Sequence, residues 1–192
     1  MAIEKLLEKT DKAWYRELYD EIPKSFQNQI SFKDVFLGSI RSAEECYRRF
    51  YVEGDESELL NRIKDYGVTV RYIDPQIESS NIAYYDDTQK ELVIFEGTVN
   101  RLHQRIVDKG LADKISLQLF KNVILSHELY HMIEMNEVNI YSYSKLVEIK
   151  FLGLFKRKEQ LEVASEIAAY HFSKLVNQLE FSPRIVELLH TL

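Results

Sequence analysis

The chain has 192 residues, of which 45% are hydrophobic, and a formal net charge of −6, which predicts one domain with a sizeable core and argues against nonspecific nucleic-acid binding. Its single cysteine, Cys46, excludes a disulfide within this sequence. The N-terminal residues are charged throughout and no apolar run reaches about 18 residues, so we expect no signal peptide, no membrane span and a cytoplasmic protein.

The first third of the chain is predicted to be helical. In residues 1–50, apolar residues recur at intervals of three and four, the spacing of an amphipathic helix. A polar stretch at 53–57 is followed by another short helix, "ELLNRIKDYG", which ends at Gly67. We therefore predict an N-terminal helical segment, residues 1–55, packed on a main domain of residues 56–192.

The middle of the chain is predicted to form a small antiparallel sheet. "VTVRYID" alternates and is rich in β-branched and aromatic residues, and "NIAYY" and "ELVIF" flank the polar loop "DDTQK" as in a hairpin. We expect "ELVIF" to be an edge strand. From Thr98 onward the helical spacing returns, and "FKRKE" at 155–159 is interpreted as a solvated loop or helix end. This order of elements predicts an α+β fold.

A motif for metal chemistry lies in the apolar stretch "VILSHELYHMIE", residues 123–134. His127 and His131 are four residues apart, so on a helix their imidazoles can reach one zinc ion. Glu128 lies next to the first histidine, where it can reach an attacking water without being a ligand. Burying these polar groups without partners would be costly, which favours a metal site over a chance occurrence.

A catalytic zinc needs a third protein ligand, and the sequence offers three candidates in "LEVASEIAAYHFSKL". Glu162 and Glu166 are four residues apart and share one helix face. His171 lies five residues after Glu166 and falls on another face. His103 and His190 have no motif around them. Helix geometry leaves the choice among the three candidates open.

The chain resembles the ImmA/IrrE-type metallopeptidases. That family pairs an HExxH helix with a downstream helix of pattern Glu-x-x-Ala-(Asn or Asp)-x-Phe-Ala, and "HELYH" followed by "EIAAYHFS" is similar to it. The resemblance covers roughly residues 56 to 183. Tyr130 stands where the family has a small residue, and Tyr170 replaces the Asn or Asp. The resemblance implies a zincin-like fold with the HExxH helix packed on the sheet, His127, His131 and Glu166 as zinc ligands, and Glu128 as general base.

The resemblance also implies a function. Family members act in stress and mobile-element control, and some cleave a helix-turn-helix repressor of a phage or integrative element. We therefore expect a zinc metalloendopeptidase whose partner is a protein substrate such as a transcriptional repressor, with no direct nucleic-acid or membrane contact. The alternative is a non-hydrolytic, zinc-stabilised regulatory protein that binds a partner on the same scaffold. A structural protein without metal is a further alternative.

Overall fold

A computed structural model describes residues 3–50, 54–74, 76, 79, 81–137, 139–151 and 155–188. The helices are α1 (Ile3–Leu7), α2 (Asp11–Glu21), α3 (Lys24–Gln27), α4 (Phe32–Phe50), α5 (Glu56–Asp65), α6 (Glu96–Asp108), α7 (Leu117–Asn136), α8 (Tyr141–Ser144), α9 (Glu162–Val176) and α10 (Ile185–Leu188). The strands are β1 (Thr69–Ile73), β2 (Ala83–Asp86), β3 (Glu91–Phe95), β4 (Leu146–Phe151) and β5 (Phe155–Gln160). The predicted α+β class is confirmed.

The central sheet has the order β1-β3-β2 and is mixed, so the prediction of an antiparallel sheet was wrong. Strand β2 pairs with β3 antiparallel, as the hairpin pattern predicted, but β1 pairs with β3 in parallel. "ELVIF" is therefore the central strand β3, and its consecutive residues Leu92, Val93 and Ile94 are all buried, so both faces of this strand are covered. The edge strand on the hairpin side is β2, which contacts α7.

A second sheet lies between α8 and α9, where the sequence analysis expected a loop or helix end. Strands β4 and β5 pair antiparallel, and "FKRKE" belongs to β5. Exposed charges along β5 form ion pairs, Lys156 with Glu148 at 3.0 Å and Arg157 with Glu159 at 2.5 Å. The basic residues are thus solvated strand positions.

Helices α7 and α9 pack against each other at the centre of the molecule. Helix α7 begins after Ser116, whose hydroxyl accepts a hydrogen bond from the Leu119 amide at 3.1 Å. Small side chains let the two helices approach closely, since the Ser126 and Ser173 hydroxyls are 2.8 Å apart. None of the described helices is long and apolar enough to span a membrane.

The N-terminal helices share buried contacts with the later part of the chain. Helix α4 packs against α9, and the Ser39 hydroxyl donates to the Ala164 carbonyl at 2.8 Å. Trp14 on α2 is fully buried, and the Arg184 guanidinium donates to its carbonyl oxygen at 2.7 Å. The Lys9 ammonium lies 3.7 Å from the centre of the Trp14 ring. The domain boundary at residue 55 stays a prediction.

Candidate metal centre

Helix α7 presents the two histidines of the HExxH motif side by side. Because His127 and His131 are one helical turn apart, their rings lie 4.8 Å from centre to centre. The two Nε2 atoms face each other at 3.1 Å. Both side chains are half-buried, with 15% and 19% of their surface exposed, so they can still be reached from solvent.

Helix α9 adds a carboxylate to this pair. The Oε2 atom of Glu166 lies 3.5 Å from Nε2 of His127, and its Oε1 atom lies 3.5 Å from Nε2 of His131. The ligand atoms of the three residues lie within 4.8 Å of one another, and the group could hold a metal ion. Close packing of α7 on α9 positions the carboxylate.

The donor spacing can be compared with that of a zinc site. Tetrahedral zinc with ligands at 2.0–2.2 Å requires neighbouring donor atoms about 3.3–3.6 Å apart. The two Nε2 atoms are 3.1 Å apart, and each lies 3.5 Å from a different oxygen of Glu166, so these contacts agree with that spacing within a few tenths of an ångström. With one ligand atom taken from each residue, the three atoms lie within 4.8 Å of one another. Two imidazoles and a carboxylate are also ligand types that zinc prefers. The three residues therefore fit zinc in both spacing and chemistry.

Charges within the trio are strongly coupled. Burial disfavours the charged form of His131, but its hydrogen bond to Glu134 and the nearby carboxylates, including that of Glu166, outweigh burial and raise its pKa to about 9. Burial likewise opposes the charge of Glu166, yet the hydrogen bond from His127 and the charges of both histidines lower its pKa to about 2. Glu166 thus has the ionised form that a metal ligand requires.

The Nδ1 atom of His131 faces a buried carboxylate that the sequence analysis did not single out. Glu134 Oε1 lies 2.9 Å from Nδ1, and the Ser165 hydroxyl lies 3.1 Å from the same atom. Only 3% of Glu134 is exposed. A signal was present in the sequence, because Glu134 follows His131 by three residues on a helix and lies in an apolar run.

The His127 ring has different surroundings. It packs against the Tyr170 ring at 4.6 Å between centres. Its Nδ1 atom is buried, with no hydrogen-bond partner among the described residues. Packing therefore orients this imidazole on the side away from His131 and Glu166.

Glu128 lies between two cavities that open beside the trio. The smaller cavity, about 260 Å³, has a mostly apolar lining that includes Ile82, Ile124 and Tyr170. The larger, about 670 Å³, is lined by polar and acidic side chains, including Glu162. Because Glu128 lines both, a molecule extending from one cavity into the other would pass its carboxylate.

The other candidate ligands lie elsewhere. Glu162 is exposed and faces the larger cavity, outside the trio. His171 packs edge-on against Tyr15 at 6.5 Å between ring centres, on a different face of α9 from Glu166, as predicted.

His103 and the cysteine also lie away from the trio. The His103 ring donates to the Ile115 carbonyl at 3.1 Å. Cys46 is buried on α4, where burial raises the pKa of its thiol to about 12. His190 lies outside the described residues.

Comparisons with known proteins add no relative. The sequence matches no family model. Neither curated proteins nor solved structures show a match to it. The chemistry of this site therefore has to be inferred from its own residues and their geometry.

Proposed function

We propose that the chain is a zinc-dependent endopeptidase in which His127, His131 and Glu166 bind the metal and Glu128 is the general base. The observation that supports this most strongly is the group of two imidazoles and one carboxylate whose ligand atoms lie within 4.8 Å of one another, next to a glutamate that lines two cavities. Bound zinc would supply Lewis-acid polarisation of a carbonyl and an acidified water.

The number of protein ligands favours catalysis over a structural metal. Structural zinc sites have four protein ligands, whereas catalytic sites have three and keep one position open. The described residues supply three donors, and cavities adjoin the group. A non-hydrolytic regulator on this scaffold would have no need of Glu128 at that place.

In this proposal the residues of the chain divide the work. Glu128 accepts a proton from the attacking water and returns it to the nitrogen of the leaving amine. The Glu166 carboxylate offsets the charge of the metal, and the histidines orient it. The cavities on either side of Glu128 accommodate substrate residues flanking the cleaved bond.

An extended peptide segment fits this cleft best. "ELVIF", predicted to be an edge strand, cannot pair with a substrate, because β3 has a strand on both sides. Strand β2 is the edge strand that adjoins the cavities, because its Ala83 lines the smaller cavity and its Tyr85 lines the larger. Backbone pairing along β2 would select a flexible or unfolded segment with little dependence on sequence.

Elemental analysis tests the proposal directly. Protein purified without chelator should contain about one zinc per chain, as expected for one three-ligand site. Near-zero zinc, even after zinc is added back at neutral pH, would contradict it and favour a protein without metal.

The class of substrate rests on the sequence resemblance. We propose a regulatory protein, such as a helix-turn-helix repressor of a phage or mobile element. Comparing new protein N-termini in cells that express the wild type or Glu128→Gln would identify it. New N-termini confined to unrelated unfolded proteins would contradict a dedicated regulatory substrate.

A further inference from the structure

Glu134 is a buried carboxylate with three hydrogen-bonding partners. It lies on α7 with 3% of its surface exposed. Its Oε1 atom contacts Nδ1 of His131 at 2.9 Å and the Ser165 hydroxyl, and its Oε2 atom accepts from the Ser142 hydroxyl at 2.7 Å. Burying a carboxylate is costly unless such partners compensate. The partners come from α7, α8 and α9, so three helices are built around this one group.

Hydrogen-bond directions in this cluster follow from chemistry. The Ser142 hydroxyl donates to Oε2 of Glu134 and the Ser165 hydroxyl donates to Oε1, so both oxygens of this side chain act as acceptors. The oxygen of Ser142 is then left to accept from the Tyr130 hydroxyl, 2.8 Å away. The Tyr130 oxygen accepts in turn from the Ser42 hydroxyl at 3.0 Å. In this series of hydrogen bonds, each hydroxyl group donates its proton in the direction of Glu134.

The same reasoning fixes the tautomer of His131. Since Oε1 of Glu134 acts as an acceptor, the proton between it and His131 lies on Nδ1 of the imidazole. In a singly protonated ring the lone pair is then on Nε2. That atom is the one that faces Nε2 of His127 and the Glu166 carboxylate.

We infer that Glu134 is a positioning residue, which holds His131 with Nδ1 protonated and Nε2 directed at the metal. The inference rests on the proposed metal site, but it concerns a residue that is neither a ligand nor the general base. A carboxylate behind a ligating imidazole also makes the ring a stronger donor. Glu134 thereby contributes to zinc affinity as well as to ring orientation.

The hydrogen-bond chain gives the N-terminal helices a part in the site. Ser42 lies on α4, within residues 1–55, and it is the first donor in the series of hydrogen bonds that ends at Glu134. The same hydrogen bonds explain why a large residue stands at position 130, because the Tyr130 hydroxyl connects Ser42 with Ser142. A smaller residue there would leave both serines without this partner.

Zinc affinity, measured by competition with a chelator, tests the inference. Glu134→Gln keeps the size and one acceptor oxygen but removes the charge, and Glu134→Ala removes both. We expect the dissociation constant to rise about tenfold for the first and about a hundredfold for the second. Glu137→Gln is the matched control, because Glu137 follows the same helix and pairs with Arg49 at 2.8 Å without touching a ligand. Its zinc affinity should equal that of the wild type.

Melting temperatures separate positioning from a merely structural role. Zinc raises the melting temperature according to its affinity for the folded state. A positioning role reduces this zinc-dependent increase, whereas a structural role lowers the melting temperature of metal-free and zinc-loaded protein equally. Wild-type zinc affinity in both Glu134 variants would overturn the inference. Absence of zinc binding by the wild type itself would overturn the proposed function, and this inference with it.

A measurement on the wild type avoids the risk that a variant does not fold. Imidazole ¹⁵N shifts of the zinc-loaded protein distinguish a protonated Nδ1 from a protonated Nε2. We expect His131 to carry its proton on Nδ1. The ¹H signal of this ring proton should be shifted downfield, because the proton is hydrogen-bonded to Glu134. A protonated Nε2 in the zinc-loaded protein would overturn the inference.

Discussion

Hydrogen bonds hold one side of the candidate site and packing holds the other. We call His131, Glu134, Ser165 and the larger cavity the His131 side, and His127, Tyr170 and the smaller cavity the His127 side. On the first, Nδ1 of the imidazole has two partners within 3.1 Å. On the second, Nδ1 has none among the described residues, and a tyrosine ring lies against the imidazole. Directional bonds fix a ring angle more strictly than ring packing, so the two histidines should differ in sensitivity to substitution.

The largest effect is expected where the two sides meet. Glu128→Gln should reduce hydrolysis of an unstructured protein by roughly 10²–10⁴-fold, because an amide cannot accept the proton of the water. Zinc content and melting temperature should stay close to those of the wild type. Cleavage at the wild-type rate by this variant would show that another residue is the base.

The second-largest effect is expected from removing the Glu166 carboxylate, which contacts a histidine on each side. Glu166→Ala should weaken zinc binding on the order of a thousandfold, since it deletes one ligand of three. Glu162→Ala is the matched control, because Glu162 lies one turn earlier on α9 but only lines the larger cavity. Zinc retained after dialysis measures both. The opposite result would identify Glu162 as the ligand.

Two tyrosines allow a direct comparison of the sides, because Tyr130 is connected to Glu134 on the His131 side through Ser142, and Tyr170 belongs to the His127 side. Tyr130→Phe should lower the free energy of unfolding by about 1–3 kcal/mol, because two buried serine hydroxyls lose a partner. Tyr170→Phe should cost less, since Tyr170 is half-buried and solvent can replace what its hydroxyl loses. Urea denaturation of metal-free protein measures both. A larger loss for Tyr170→Phe would contradict the contrast between the sides.

The smallest effect concerns pH. The hydrogen bond to Glu134 and the nearby carboxylates keep the pKa of His131 at about 9 against the effect of burial, so metal-free His131 is protonated at neutral pH. Zinc must displace that proton, so its affinity should fall about tenfold for each pH unit below this pKa, for one proton released. Calorimetry in buffers of different ionisation enthalpy counts the protons. No release at pH 7.5 would contradict the raised pKa.

Local patterns in the sequence predicted the helices, the hairpin and the HExxH helix, because helical spacing and turn residues lie within a few positions of one another. The direction of β1 was not predictable this way, since its pairing with β3 depends on contacts about 20 residues apart. Strand β5 was missed because "FKRKEQ" has four consecutive charged residues and no clear apolar face. The strand forms there because it pairs with β4.

Among the site residues, His127 and His131 were found from their spacing on one helix. Glu166 needed a second helix, and residue order could not choose between it and Glu162. Packing of α7 on α9 brings Glu166 within 3.5 Å of both histidines. Glu134 was overlooked although it follows His131 by three residues, because its partners Ser142 and Ser165, 8 and 31 residues away, meet it only after folding.

The buried Trp14 can serve as an intrinsic fluorescence probe of this protein. It is the only tryptophan of the chain, and it lies between the Lys9 ammonium at 3.7 Å and the Arg184 guanidinium at 5.9 Å from the ring centre. Its fluorescence should be blue-shifted while α2 remains docked on the C-terminal segment and should shift to the red on undocking. Followed through a denaturant titration beside zinc release, the emission would reveal whether residues 1–55 detach before the metal centre opens or unfold together with it.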